Sequence, residues 1–304
     1  MTTDAANGAT AAQAVSAAAE PRSPMDADPP ARPGRAWSDL GPRVLSAAAL
    51  IPAALWCAWA GGPWLAGATG AAVVIMSFEW ARMSAPKRLG VSWALTFVGA
   101  FGGVVLASWG AMTWAWLWLF GWSLLSAVFA ERGVGRLEQA LGALYVGVPP
   151  ALFLWLRSHD PGGVVVILGL FVIMWSADMA GYFAGRLIGG PRVAPAISPH
   201  KTWAGVLAGF FAGGLAGVGC GFAFGGPLLV WGTAGVTLAV VGLSGDLLES
   251  LVKRRFGVKD ASRIIPGHGG MLDRLDGLIT ATLVTALALW AMPQLLILLL
   301  GGKP

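Results

Sequence analysis

Long apolar stretches dominate this chain and limit what it can fold into. The 304 residues are 56% hydrophobic and only 12% charged, with a mean hydropathy of +0.70, whereas a soluble domain has about 25% charged residues. Stretches of about 17–25 apolar residues match the thickness of a bilayer, where each backbone polar group has to be satisfied within a helix. The sequence therefore predicts an all-α polytopic membrane protein with about nine transmembrane helices. The predicted spans are 43–61, 63–81, 91–109, 112–130, 138–156, 164–186, 203–222, 226–248 and 277–299.

The positions of the basic residues predict how the chain is oriented. With the N-terminus in the cytoplasm and the C-terminus outside, only Arg157 and Lys303 of the 20 Lys and Arg residues face the outside, as the positive-inside bias requires. Residues 1–40 are rich in Ala, Pro and small polar residues, so they are predicted to form a disordered cytoplasmic tail. Residues 41–304 are predicted to form the transmembrane domain. Basic cytoplasmic loops account for the net charge of +5, and no motif favours nucleic acid as a partner.

The densest polar segment follows the eighth predicted span. Asp246 and Glu249 lie on one helical face near the end of that span, and Asp273 and Asp276 have the same spacing at the start of the ninth. Between these two acidic pairs lies a Lys/Arg-rich loop that contains Gly-His-Gly-Gly over 267–270. Charges beside hydrocarbon are costly, so they have partners or a function. Each acid alone is equally consistent with an interfacial ion pair, but the two pairs with this loop favour a Mg²⁺–phosphate site.

A second polar segment runs from the sixth span to the start of the seventh. Asp178 lies inside the predicted sixth span, where an ionisable residue indicates function. Pro195 and Pro199 prevent a regular helix after that span. The basic residue Lys201 and the hydroxyl residue Thr202 directly precede the seventh span, where a helix N-terminus favours binding of phosphate.

Both polar segments resemble the conserved blocks of the phosphatidate cytidylyltransferases, the CDP-diacylglycerol synthases. The family pattern Ser-x-x-Lys-Arg, Lys-Asp, Pro-x-His-Gly-Gly-x-x-Asp-Arg-x-Asp is met between Ser250 and Asp276. A second block, Asp-x-x-Ala-Tyr-x-x-Gly-Arg followed by Ser-Pro-x-Lys-Thr-Trp, is met between Asp178 and Trp203, except that Met179, Ala180 and Gly181 replace the usual residues before the tyrosine. The resemblance implies synthesis of CDP-diacylglycerol and pyrophosphate from CTP and phosphatidic acid.

The residues and the resemblance together predict a role for each candidate site residue. The implied cofactor is Mg²⁺, and a second metal or a monovalent cation stays open. The metal ligands would be Asp246, Asp273 and Asp276, with Asp178 as a further ligand or an orienting carboxylate. The catalytic group would be Asp246, Asp273, Asp276, Lys253 and Arg274. Substrate would be bound by Arg186, Ser198, Lys201, Thr202, Lys259, His268, Gly269 and Gly270.

Some alternatives and two structural expectations accompany this interpretation. His268 is consistent with a turn residue, a general base or a phosphate ligand, and its neighbouring glycines favour ligand contact. The alternative functions for this chain are those of a polyprenol kinase, an archaeal-lipid cytidylyltransferase and a secondary transporter. The partners would be CTP, phosphatidic acid and membrane lipid in a bacterial inner membrane, with a homodimer left open. The Gly-rich seventh span predicts close helix packing, and Glu79 is predicted to pair with Arg82.

Overall fold

The predicted spans all fall on helices. The computed structural model describes residues 40–86, 89–130, 135–262, 264 and 269–302, with residues 40–47 described by their backbone only. Seven of its helices are long and apolar enough to cross a membrane, and two further apolar helices are shorter. The protein is therefore an all-α polytopic membrane protein. The helices are α1 (Leu40–Ala60), α2 (Gly62–Ser84), α3 (Leu89–Ser108), α4 (Met112–Val128), α5 (Arg136–Arg157), α6 (Gly162–Leu187), α7 (Trp203–Phe224), α8 (Leu228–Arg255), α9 (Leu272–Ala291) and α10 (Gln294–Leu299).

Three boundaries differ from the sequence prediction. Helix α8 continues past the predicted end at 248 as far as Arg255, because its polar last turns project beyond the apolar stretch that defined the span. Helix α9 begins at Leu272 rather than 277, which places Asp273 and Asp276 within its first two turns. The ninth span also breaks before Pro293, which caps the short α10.

A short antiparallel ribbon between α6 and α7 was not predicted. Its strands are β1 (Arg192–Ala194) and β2 (Ser198–Thr202). The two prolines in this region exclude a helix, and the ribbon satisfies part of the backbone there by pairing Arg192 with Thr202. The predicted tail over 1–40 lies outside the described residues, apart from Leu40.

Contacts at the two ends of the bundle show that the helices alternate in direction. At one end Glu79, in the last turns of α2, accepts a hydrogen bond from the backbone N–H of Leu272 at the start of α9 (2.8 Å). At the other end the Arg157 side chain, in the last turn of α5, donates to the carbonyl of Ala58 near the end of α1 (2.8 Å). Lys201 and Thr202, which precede α7, lie beside Asp246 of α8 and Gly185 near the end of α6. The ends of α2, α6 and α8 therefore lie with the starts of α7 and α9, and this end contains the two polar segments.

Glycines let α7 approach its neighbours closely, as its composition predicts. A Cβ atom added at Gly205 would lie 2.6 Å from the carbonyl oxygen of Gly181 in α6. One added at Gly213 would lie 2.9 Å from the carbonyl oxygen of Gly235 in α8. Backbone contact of this kind replaces the hydrophobic effect, which does not drive helix association in lipid. Helices α6, α7 and α8 thus form one tightly packed group.

We predict that Gly213→Ala destabilises the protein and that Gly219→Ala on the same helix does not. The methyl group at 213 would meet backbone of α8, and overpacking of this kind costs about 1–3 kcal/mol. A Cβ at Gly219 would meet nothing within 4 Å, so this matched control should be neutral or slightly stabilising. Thermal unfolding of both variants in detergent measures the difference, and equal melting temperatures would contradict the packing described.

Candidate active site

The polar ends of α6, α8 and α9 surround one cavity of about 1220 Å³. Its walls differ in character from one region to another. One region is apolar and formed by α1, α2, α5 and α6, for example by Leu50, Met76 and Phe171. The other region is polar, and its charged or hydroxyl-bearing residues are Asp178, Tyr182, Arg186, Ser198, His200, Lys201, Thr202, Asp246, Asp273, Arg274 and Asp276.

Three carboxylates from three helices face one another across the polar region. Asp178 of α6 and Asp276 of α9 both interact electrostatically with Asp246 of α8. Lys201 from β2 contacts this group, with its Nζ atom 2.5 Å from Oδ2 of Asp246. The structure thus joins the two polar segments of the sequence, which are far apart in the chain. Like charges this close require a compensating cation, and Lys201 supplies one.

Glu249 adds a fourth carboxyl group that sequence reasoning named without giving it a role. Its side chain is 1% exposed, and neither carboxylate oxygen has a hydrogen-bond partner within the described part of the chain. It interacts with Asp276, and its Oε1 atom lies 3.6 Å from Nζ of Lys253. Its spacing, three residues after Asp246 and four before Lys253, is the sequence signal that places it on this face of α8. Tyr145 of α5 also interacts with Glu249 and Asp276, and no sequence signal indicated it.

Asp273 occupies a different environment from the other aspartates. Its Oδ1 atom accepts from Nζ of Lys253 (2.6 Å), and its Oδ2 atom accepts from the backbone N–H groups of Ala261 (3.2 Å) and Gly270 (3.0 Å). Both oxygens are therefore engaged by the chain itself. Asp273 and Lys253 form an internal pair that holds the polar loop against α8 and α9.

The remaining predicted site residues are divided between the cavity and its surroundings. Thr202 caps α7, and its hydroxyl oxygen accepts from the backbone N–H of Gly205 (3.2 Å). Arg186 lines the cavity and donates to the hydroxyl of Tyr182 (2.8 Å). Arg274 and Ser198 line it too. Lys253, Lys259, Gly269 and Gly270 are not among the described lining residues, and His268 lies outside the described part of the chain.

The predicted pair between Glu79 and Arg82 is wrong. Glu79 is fully buried, and its oxygens accept hydrogen bonds from Ser262, Met271 and Leu272. The spacing of three residues suggested a local pair, but the carboxylate instead accepts from the N–H donors at the start of α9 and from the Ser262 hydroxyl. Glu79 thus belongs to the framework that supports the polar region of the cavity.

The residues at the cavity fit a Mg²⁺ ion that is shared with a substrate. Within residues 40–86, 89–130, 135–262, 264 and 269–302, no three Asp, Glu, His or Cys side chains converge closely enough to hold a metal by themselves. Mg²⁺ is usually bound by one or two carboxylates, with water and substrate phosphates as the other ligands. Asp178, Asp246 and Asp276 offer oxygen ligands of this kind, and Glu249 lies beside Asp276.

Comparisons with known proteins agree with the composition of this site. The profile of the cytidylyltransferase family matches residues 41–292. A phosphatidate cytidylyltransferase of Brucella suis is 36% identical over 274 residues, which is 84% of this chain and 96% of the relative. Proteins of the same name from Pseudomonas aeruginosa (33% identical over 271 residues, 82% and 96%) and Haemophilus influenzae (32% over 275 residues, 79% and 94%) are also similar. The chain belongs to the cytidylyltransferase family.

We predict that Asp273→Asn destabilises the protein and that Asp276→Asn does not. The amide at 273 would place an N–H group against either Lys253 or two backbone donors, so the free energy of unfolding should fall by about 1–3 kcal/mol. The amide at 276 removes one charge from a cluster of carboxylates and should leave stability unchanged or raise it.

Thermal unfolding of the two purified variants in the same detergent measures this difference. The wild-type protein and Asp160→Asn, which changes an exposed acid at the other end of the bundle, serve as controls. A lower melting temperature for Asp276→Asn than for Asp273→Asn would contradict the assignment of Asp273 to the framework and of Asp276 to the carboxylate cluster.

Proposed function

We propose that this protein transfers the cytidylyl group of CTP to phosphatidic acid, forming CDP-diacylglycerol and pyrophosphate. One observation supports this most directly: a single cavity joins an apolar region to a polar region that contains Asp178, Lys201, Asp246, Arg274 and Asp276. An apolar wall suits acyl chains, and cationic groups with carboxylates suit phosphates and a metal. The names of the similar bacterial proteins support the same reaction.

In the proposed reaction an oxygen of the lipid phosphate attacks the α-phosphorus of CTP. The new bond joins this oxygen to the α-phosphorus, and the bond to the β-phosphate bridge breaks, so that pyrophosphate leaves with the electron pair. A phosphate monoester dianion is already a nucleophile at neutral pH, so no separate general base is required. The work of the protein is to position two anions that repel each other and to neutralise the charge that develops.

The basic residues at the cavity would perform most of this work. Lys201 and Arg274 lie where phosphate groups would enter the polar region, and Arg186 lies at the same wall. When substrate binds, Lys201 would exchange its contact with Asp246 for a phosphate oxygen, which releases that carboxylate. Lys253 would hold Asp273 and balance Glu249 rather than contact substrate, because both groups already lie beside it.

The carboxylates would hold the metal. Asp246 and Asp276 are the preferred ligands, with Asp178 as a further ligand or orienting group, and Asp273 as the member of the set already engaged by its neighbours. A bound Mg²⁺ ion would neutralise phosphate charge and fix the relative orientation of the two substrates. A second metal or a monovalent cation at this site is a further proposal. So is a homodimer of the chain.

The polar end of the bundle is proposed to face the cytoplasm of a bacterial cell, in the inner membrane. Nine crossings by α1–α9, with the N-terminus inside and the C-terminus outside, place the polar ends of α6, α8 and α9 on the inner side. The positive-inside distribution of Lys and Arg supports this orientation. CTP would then reach the site from the cytoplasm and phosphatidic acid from the bilayer.

We predict that purified protein releases pyrophosphate only when phosphatidic acid, CTP and Mg²⁺ are all present. Asp246→Asn and Asp276→Asn should each lower kcat by about 10²–10³-fold, a typical loss when one electrostatic contact to a transition state is removed. Asp160→Asn, at the opposite end of the bundle, should retain wild-type turnover. A coupled pyrophosphate assay in lipid–detergent micelles measures all four proteins.

The products distinguish the kinase and the transporter from this function, and the requirement for phosphatidic acid distinguishes a cytidylyltransferase of another lipid. A CTP-dependent lipid kinase would leave CDP instead of pyrophosphate, and a transporter would consume no CTP. Release of CDP, or full activity in Asp246→Asn and Asp276→Asn, would contradict the proposal.

A further inference from the structure

Glu79 is a buried carboxylate that lies outside both polar segments of the sequence. It belongs to α2 and is 0% exposed. Its Oε1 atom accepts from the hydroxyl of Ser262 (2.5 Å) and from the backbone N–H of Met271 (2.8 Å). Its Oε2 atom accepts from the backbone N–H of Leu272 (2.8 Å). Unlike Glu249, this buried carboxylate therefore accepts hydrogen bonds through both of its oxygens.

The donors that Glu79 binds lie at the start of α9. The first N–H groups of a helix have no partner within the helix, and a negative charge there is favoured by the helix dipole. No side chain at the N-cap position of α9, which is Met271, accepts a hydrogen bond. Glu79 provides the missing acceptor from a different helix, so the position of α9 along its axis depends on α2.

A second carboxylate, that of Asp273, binds the same region, and we call Glu79 and Asp273 together the clamp. Asp273 accepts from the backbone N–H of Gly270 through Oδ2 (3.0 Å). A Cβ atom added at Gly270 would lie 2.9 Å from this oxygen and 2.9 Å from Oε1 of Glu79, so both carboxylates lie against the same glycine. Glu79 also holds the preceding loop, because Ser262 donates to it and accepts from the backbone N–H of Ile264 (3.2 Å).

From this geometry we propose that Glu79 is a positioning residue for the carboxylates of α9. It fixes the first turn of that helix, so that Asp276, one turn further on, faces Asp246 and Glu249. This inference rests on the proposed function for its catalytic consequence. The contact between α2 and α9 itself is independent of what the cavity binds.

The test compares two changes at the clamp with one change elsewhere. Glu79→Gln keeps the volume of the side chain but opposes an NH₂ group to a backbone donor. Ser262→Ala removes the hydrogen bond to Glu79 and the one accepted from Ile264, and it leaves the bonds from Met271 and Leu272 to Glu79 in place. Gln139→Met is the matched control, because Gln139 is a buried polar residue of α5 that bonds to Ser92 (2.7 Å) and has no described contact with α9.

We expect Glu79→Gln to lower kcat by about 10–100-fold, the range for residues that orient metal ligands. The Mg²⁺ concentration for half-maximal activity should rise, while the KM values for CTP and phosphatidic acid stay close to wild type. Ser262→Ala should show the same changes to a smaller extent, and Gln139→Met neither. Kinetics are compared at equal folded fraction, measured by size-exclusion chromatography.

Hydrogen exchange provides a second readout that does not depend on activity. The backbone amides of Met271 and Leu272 should exchange faster in Glu79→Gln than in wild type, and at the wild-type rate in Gln139→Met. Unchanged exchange at these amides would overturn the proposal, as would wild-type kcat and Mg²⁺ dependence in a folded Glu79→Gln. If Glu79→Gln does not fold, wild-type kinetics in Ser262→Ala would overturn it. An inactive wild-type protein would contradict the proposed function, and the exchange data would then decide on Glu79 alone.

Discussion

The structure depends on which cations and hydrogen-bond donors surround the carboxylates at one end of an apolar bundle. A charged group at the edge of hydrocarbon is unfavourable unless it is paired or hydrogen-bonded. Glu79 meets this requirement with three donors, and Asp273 meets it with Lys253 and two backbone N–H groups. Together these two residues determine where α9 begins, and that helix places Asp276 at the cavity.

The other carboxylates at this end are compensated less completely. Asp246 pairs with Lys201 alone among the described ion pairs, and the oxygens of Glu249 have no hydrogen-bond partner in the described residues. Carboxylates with so few partners contribute little to stability, so a function is the better reason for their presence. Carboxylates with several donors or cations around them form the framework of the site. Those with few such partners are the groups that would meet the metal and the substrates.

The sequence predicts most of the fold because its strongest signals are local. Apolar runs identify helices α1–α9, and the residues Asp178, Lys201, Asp246 and Asp276, which the sequence pattern singled out, line one cavity. The ends of α8 and the start of α9 were misplaced, because polar helical turns outside an apolar stretch resemble loop. The ribbon β1–β2 was missed because it also lies outside an apolar stretch and resembles loop. The partner of Glu79 could not be predicted, since its contact with Ser262 spans 183 residues of chain.

The measurement that tests the central claim most directly follows the phosphates of CTP. Purified protein is supplied with phosphatidic acid, Mg²⁺ and CTP that is radiolabelled at either the α- or the γ-phosphate. We predict that the α label passes into the lipid fraction while the γ label leaves in aqueous pyrophosphate. Transfer of the γ label to lipid, or no transfer by folded protein, would contradict it.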